Sequence, residues 1–168
     1  GPEMAIPATK SLMAQMICLL LLSAHLAQRK KVLSTITTEA LFEELPLLSA
    51  DISHNLPMLR STAKALALKY RKFRHFFFTG RGINYPLALE GALKFKEITY
   101  IHAEGSSLGA IPHGARALLD ESVPIFALAT SDMHLSRTLD DLRALKTQGG
   151  KIITLTNPGQ TPASDDVW

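Results

Sequence analysis

Glu90, Lys94 and Glu97 follow one another at spacings of four and three in the stretch EGALKFKEITYIHAE (90–104). At about 100° per helical residue, Lys94 falls near 40° and Glu97 near −20° from Glu90, so the three share one stripe. Leu87 and Ile98 edge that stripe on one side, Leu93 edges the other, and Ile101 continues it. Spacing leaves two readings open. One is a pair of i,i+4 and i,i+3 ion pairs on a wet surface, contributing roughly a few tenths of a kcal/mol. The other is a carboxylate held beside an ammonium in a partly apolar site. Burial raises a carboxylate pKa and a neighbouring cation lowers it, so such a pair can tune a general base.

Two further stretches carry types that could do chemistry. His113 stands between Pro112 and Gly114 in SLGAIPHGARALL. A loop imidazole there is either solvated and bonded to backbone or a proton donor and acceptor. Gly80-Arg81-Gly82 follows an aromatic run. It reads equally as a tight turn or as a backbone cradle for an anion at a helix N-terminus. The six histidines are scattered without a metal-ligand spacing, so no metal site is expected.

The chain that must position these residues has 168 of them, enough for about one domain. With 46% hydrophobic and 20% charged residues and a net charge of +3, it has the composition of a globular protein. The basic clusters at 28–31 and 69–74 sit beside expected helix ends, where cations complement the helix dipole, so nucleic-acid binding is not expected. Cys18 is the single cysteine. Inside its apolar run it reads as a buried structural thiol in a reducing, cytoplasmic setting. Residues 11–27 carry no formal charge, but Gln15, Ser23 and His25 interrupt them, which predicts a buried helix rather than a membrane span.

Pattern predicts helices over about 10–28, with Thr9 as N-cap, and over 57–72, with a stretch between them broken near Pro46. Buried strands are expected at 75–79, 123–129 and 152–156, with helices over about 85–100 and 134–147. Strands alternating with helices make an α/β fold with a parallel sheet and right-handed crossovers. Ligands bind such sheets at the carboxyl ends of the strands, which gathers 80–82, Thr130-Ser131 and Thr156-Asn157 around one crevice. A further strand is expected to begin at DDVW, so the sheet is expected to continue past Trp168.

GRGINYPLALEGALKFKEITYIHAE, followed by HG and ALLDESVPIFALA, resembles the second sugar-isomerase (SIS) subdomain of the glucosamine-6-phosphate synthase family, as does the opening GPEMAIPATKSLMAQM. The likeness runs from Gly1 to about Asn157 and is densest over 80–104. It implies a flavodoxin-like parallel sheet with helices on both faces, preceded by N-terminal helices. The expected division is a linker over 1–10, a helical lead-in over 11–74 and the SIS core over 75–168.

The resemblance further implies conversion of fructose-6-phosphate to glucosamine-6-phosphate with ammonia from glutamine, on a homodimer, with no cofactor and no membrane. It places Glu97 at the base that moves a proton between sugar C1 and C2, and Lys94 at the neighbouring lysine. His113 falls on the histidine that assists ring opening in the partner subunit's site. Ile6 and Ala8 fall where the family's linker lines the pocket for the phosphorylated hexose. Ala8 replaces a common Ser, and Gly109–Ala115 replaces a GELKHGP-like loop. A glutaminase-free aminosugar-phosphate deaminase or isomerase, and a non-catalytic phosphosugar-binding module, are the alternative readings. The glutaminase domain, the first SIS subdomain and the C-terminal tail of the family have no counterpart here, and the fragment alone is expected to be inactive.

Overall fold

Consecutive aromatic residues at 76–78 leave neither face of their strand for water, which is the signature of a central strand covered on both sides. The computed structural model, which describes residues 2–168, builds that strand as β1 (His75–Gly80). In chain order it is preceded by α1 (Lys10–Arg29) and α2 (Thr35–Tyr70), then followed by α3 (Asn84–Thr99) and β2 (His102–Ser107). Two short 3-10 helices, Leu108–His113 and Ala115–Leu118, lead to β3 (Ile125–Ala129), α4 (Leu135–Thr147), β4 (Ile152–Thr156) and β5 (Asp166–Val167). The five strands are parallel in the order β2-β1-β3-β4-β5. The expected α/β architecture is the observed one.

Residues up to Leu66 form one compact unit and Ala67–Trp168 a second. In the second, strand residues alternate between two cores. Phe77, Ile125, Ala127, Ala129 and Ile152 pack with Leu108, Ile111, Leu142 and Leu145. On the other face Phe76 and Phe78 meet Phe95 of α3, and Phe126 packs against both Phe76 and Phe78, stacked on Phe78 at 5.0 Å. Ala88 and Ala92 are the buried small residues through which α3 approaches the sheet. Gly105 in β2 completes that approach, because a Cβ there would lie 3.0 Å from the Leu89 Cα.

The far edge of the sheet is tied by charge. Asp165 accepts hydrogen bonds from the Ile152 amide at 2.7 Å and pairs with Lys146 at 2.6 Å. Burial works to raise its pKa, but the Lys146 hydrogen bond and the Ile152 amide prevail, and the net direction is down. A lowered folded-state pKa stabilises above the ordinary carboxylate value of 3.8 and is lost as pH falls through the folded value. Asp165→Asn is therefore expected to flatten the acid limb of stability below about pH 4, read from denaturation midpoints between pH 7 and pH 3. An unchanged acid limb would remove Asp165 from that role.

The first unit departs from the pattern in three ways. Pro46 and Pro57 lie inside α2, which continues through both. A proline removes one helical hydrogen bond and bends the axis, yet the flanking turns can propagate past it. Thr9 takes the N-cap position of α1 without a side-chain cap bond. The cap is Glu3, whose carboxylate accepts from the amides of Thr9, Lys10 and Ser11 and from the Thr9 and Ser11 hydroxyls. The Ser11 hydroxyl foremost, then Thr9, hold the Glu3 pKa far below the usual carboxylate range. Finally, α1 buries only Ala24, and Cys18 is exposed, so the expectations of a buried helix and a buried thiol do not hold. Among the described residues α1 is the one helix long and apolar enough to cross a membrane by length and composition, a test that signal sequences and core helices also pass.

Candidate functional site

Helix α3 begins one tight turn after β1. Gly82 takes a φ of 56°, and the Asn84 and Tyr85 amides donate to the carbonyls of Arg81 and Gly82. The first two helical amides are thus engaged within the turn. Arg81 pairs with Asp141 of α4, and its guanidinium lies 3.4 Å from where a Gly109 Cβ would stand. That pairing spans 60 positions and had no signal in the sequence.

The strand ends expected around one crevice do meet. The Asn84 side-chain amide donates to the Thr130 hydroxyl at 2.8 Å, and that hydroxyl lies 3.1 Å from the Asn84 Oδ1. The Ser131 amide donates to the Asn157 Oδ1 at 2.7 Å, and Asp132 accepts from the His134 amide at 2.8 Å. The Asn84 side-chain amide also lies 3.4 Å from Asp132 Oδ2, and the Asp132 amide donates to the Thr130 carbonyl at 2.8 Å, so the three are linked across the switch between β1 and β3.

The charged strip lies further along α3. The Lys94 ammonium donates to Glu97 Oε2 at 2.5 Å and lies 3.4 Å from Glu90 Oε1. All three side chains are half-buried, while Leu87, Leu93 and Ile98 beside them are exposed. One cation faces two carboxylates, so the strip carries a net negative charge. The Lys94 pKa is raised, first by the Glu97 hydrogen bond and against the effect of burial. The ammonium is thus the form favoured in the folded state, and its contribution is lost only as pH rises past the ordinary lysine value. Glu97 Oε1 has no hydrogen bond among the described residues. A carboxylate with one oxygen anchored by an ammonium and the other unengaged has the arrangement a general base needs.

The α3 helix stops at Tyr100, which adopts a left-handed φ of 57°. The following segment forms β2, a strand the pattern did not predict. HAEGSS lacks β-branched and aromatic residues, and only Ala103 in it is buried. His113 is the last residue of a 3-10 helix rather than part of an irregular loop. It is exposed, and its imidazole makes no hydrogen bond among the described residues. Ile6 is fully presented to solvent at 92% exposure and Ala8 is half-buried, both in the loop closed by Glu3. The structure thus joins Glu90, Lys94 and Glu97 in one cluster, while Ile6 and Ala8 belong to the first compact unit.

Comparison with known proteins gives this geometry a context. The family model described as the SIS domain matches residues 69–166. The chain is 37% identical over its whole length to glutamine–fructose-6-phosphate aminotransferase (isomerizing) from Pyrococcus horikoshii, covering 27% of that protein. It is 38% identical, again over its whole length and 27% of the relative, to the enzyme of the same name from Gloeobacter violaceus. Among solved structures it is similar to the C-terminal domain of glucosamine-fructose-6-phosphate aminotransferase from Francisella tularensis, at 32% identity and a TM-score of 0.93. That match covers 100% of this chain and 48% of the other. The chain spans about a quarter of the length of the curated relatives it matches.

Proposed function

The chain belongs to the SIS-domain family, and from that membership we propose that it is the sugar-isomerase part of a glutamine-dependent aminotransferase acting on fructose-6-phosphate. Glu97 is the base in this reading. Ammonia from glutamine first condenses with the C2 carbonyl of the ketose, losing water to give the imine. Glu97 then removes a proton from C1 of that imine and returns it to C2, giving the aldose product, glucosamine-6-phosphate. Lys94 holds Glu97 by one oxygen and keeps a positive charge beside it, and Glu90 orients Lys94. The observation that carries the reading is the unengaged Oε1 of a half-buried Glu97 flanked by exposed apolar residues. A strip of that kind is suited to being covered by a substrate and by further protein, and the relatives named for this reaction are longer chains.

His113 assists opening of the sugar ring in this proposal, and it does so in the site of a second subunit. Its exposure and lack of a side-chain hydrogen bond among the described residues leave the imidazole available for such a reach. Ile6 and Ala8 line the sugar pocket from the linker. The cytoplasm is the setting that fits a phosphorylated hexose substrate.

The test uses the full-length protein. Given fructose-6-phosphate and glutamine, it is expected to form glucosamine-6-phosphate, and no product with glutamine or with free ammonia would overturn the assignment. Mixing Glu97→Gln and His113→Ala subunits tests the shared site. If half of the dimers are mixed and each holds one intact site, about a quarter of wild-type activity should return. No recovery above the separate variants would place His113 outside a shared site.

A further inference from the structure

His75 and His102 stand 27 positions apart and show no ligand spacing in the sequence, yet β1 and β2 pair them directly in parallel register. Directly paired residues of adjacent parallel strands project from the same face of the sheet. Their Nδ1 atoms are 3.5 Å apart, and the ring planes meet at 61° with centroids separated by 5.4 Å. Both rings are exposed. They are the first residues of their strands, so they mark the amino end of the sheet, opposite the end where Asn84 and Thr130 meet.

The separation can be compared with two interactions. As an imidazole–imidazole hydrogen bond, 3.5 Å is at the outer limit and requires one ring to carry its hydrogen on Nδ1. As a chelate it fits better. With zinc–nitrogen bonds of about 2.05 Å and a tetrahedral angle, two ligating nitrogens lie about 3.3 Å apart. A rotation of either exposed ring by a small angle closes that difference. Neutral imidazole is the ligand type that suits divalent zinc, copper and nickel.

We propose that His75 and His102 form a two-imidazole clamp for a divalent first-row transition ion, with zinc in tetrahedral geometry and water completing its coordination. No group of three or more His, Cys, Asp or Glu able to hold a metal occurs among the described residues, so the clamp supplies two protein ligands. Because the ligands come from neighbouring strands, the ion would cross-link β1 to the edge strand β2. The proposal is independent of the catalytic reading of Glu97.

Zinc and nickel are titrated into metal-free full-length protein by calorimetry, with His75→Ala, His102→Ala and His54→Ala beside wild type. Outer-shell changes at metal sites already cost 10–100-fold, so losing a ligand is expected to weaken one binding equivalent by at least about tenfold. That equivalent should weaken in both strand variants and stay unchanged in His54→Ala. In the copper form, electron paramagnetic resonance should show two equatorial nitrogens in wild type and one in each strand variant. Equal affinities, or an unchanged nitrogen count, would overturn the clamp. Thermal unfolding in EDTA checks the fold of each variant; if His102→Ala is unfolded, His75→Ala decides by itself.

Discussion

Glu97→Gln in the full-length protein is expected to lower kcat for ketose–aldose interconversion by about a thousandfold, with KM little changed. That is the middle of the range for removing a positioned general base. The amide keeps the shape of the carboxylate and can still accept from Lys94, so the helix and the pairing geometry remain. What it loses is the ability of the unengaged oxygen to hold a proton. Substrate deuterated at C1 separates this from a binding defect. Wild-type protein should carry part of that deuterium to C2 of the product, and the variant should not move it. Comparable turnover and transfer in the two proteins would remove Glu97 from the reaction and leave the strip a structural ion pair.

Gly80→Ala is expected to destabilise the second compact unit by about 3 kcal/mol or more, lowering its melting temperature on the order of 15 °C. A Cβ at Gly80 would lie 2.4 Å from the Asn84 carbonyl oxygen and 2.6 Å from its carbon. These are backbone atoms at the start of α3, and they can yield only if the whole helix moves. Such a shift would also disturb the Asn84–Thr130 hydrogen bonds and carry the charged strip with it. Gly114→Ala is the control, because a Cβ there meets nothing within 4 Å; it should stay within about 0.5 kcal/mol of wild type. If both variants unfold at the wild-type midpoint, the close approach of β1 to α3 is not what holds that corner.

Where periodicity and burial coincide, the fold was legible in the sequence. The runs that became β1, β3 and β4 are apolar on both faces, and the stripe of Glu90, Lys94 and Glu97 follows from helical geometry alone. The edge strand β2 was not legible, because an edge strand with one buried residue needs no apolar run. Pro46 and Pro57 misled for a related reason: the cost of a proline is local, while the continuity of α2 depends on the turns either side. The Glu3 cap was hidden because it reaches back to α1 across the intervening loop. Composition also could not say what covers an apolar helix, and the expectation of a buried Cys18 failed for that reason. At the candidate site, spacing gave the cluster and left its role open between a surface pair and a base. The half-buried setting and the engagement of only one Glu97 oxygen are properties of the folded chain.

The strand order has a consequence for the chain during its synthesis. β1 pairs on one side with β2, 27 positions later, and on the other with β3, where Phe77 meets Ile125 across 48 positions. Closing the longer loop costs about 0.5 kcal/mol more in chain entropy, so β1, α3 and β2 are favoured to assemble first. The helix bearing Glu90, Lys94 and Glu97 is then in place once residue 107 has emerged from the ribosome. The second edge of β1 waits for β3, which ends at residue 129. At 5–20 residues per second that interval is about one to four seconds. During it the nascent chain presents an unpaired, aromatic strand edge, the kind of surface on which mispairing begins. A holdase that acts on this protein would find its substrate in that window.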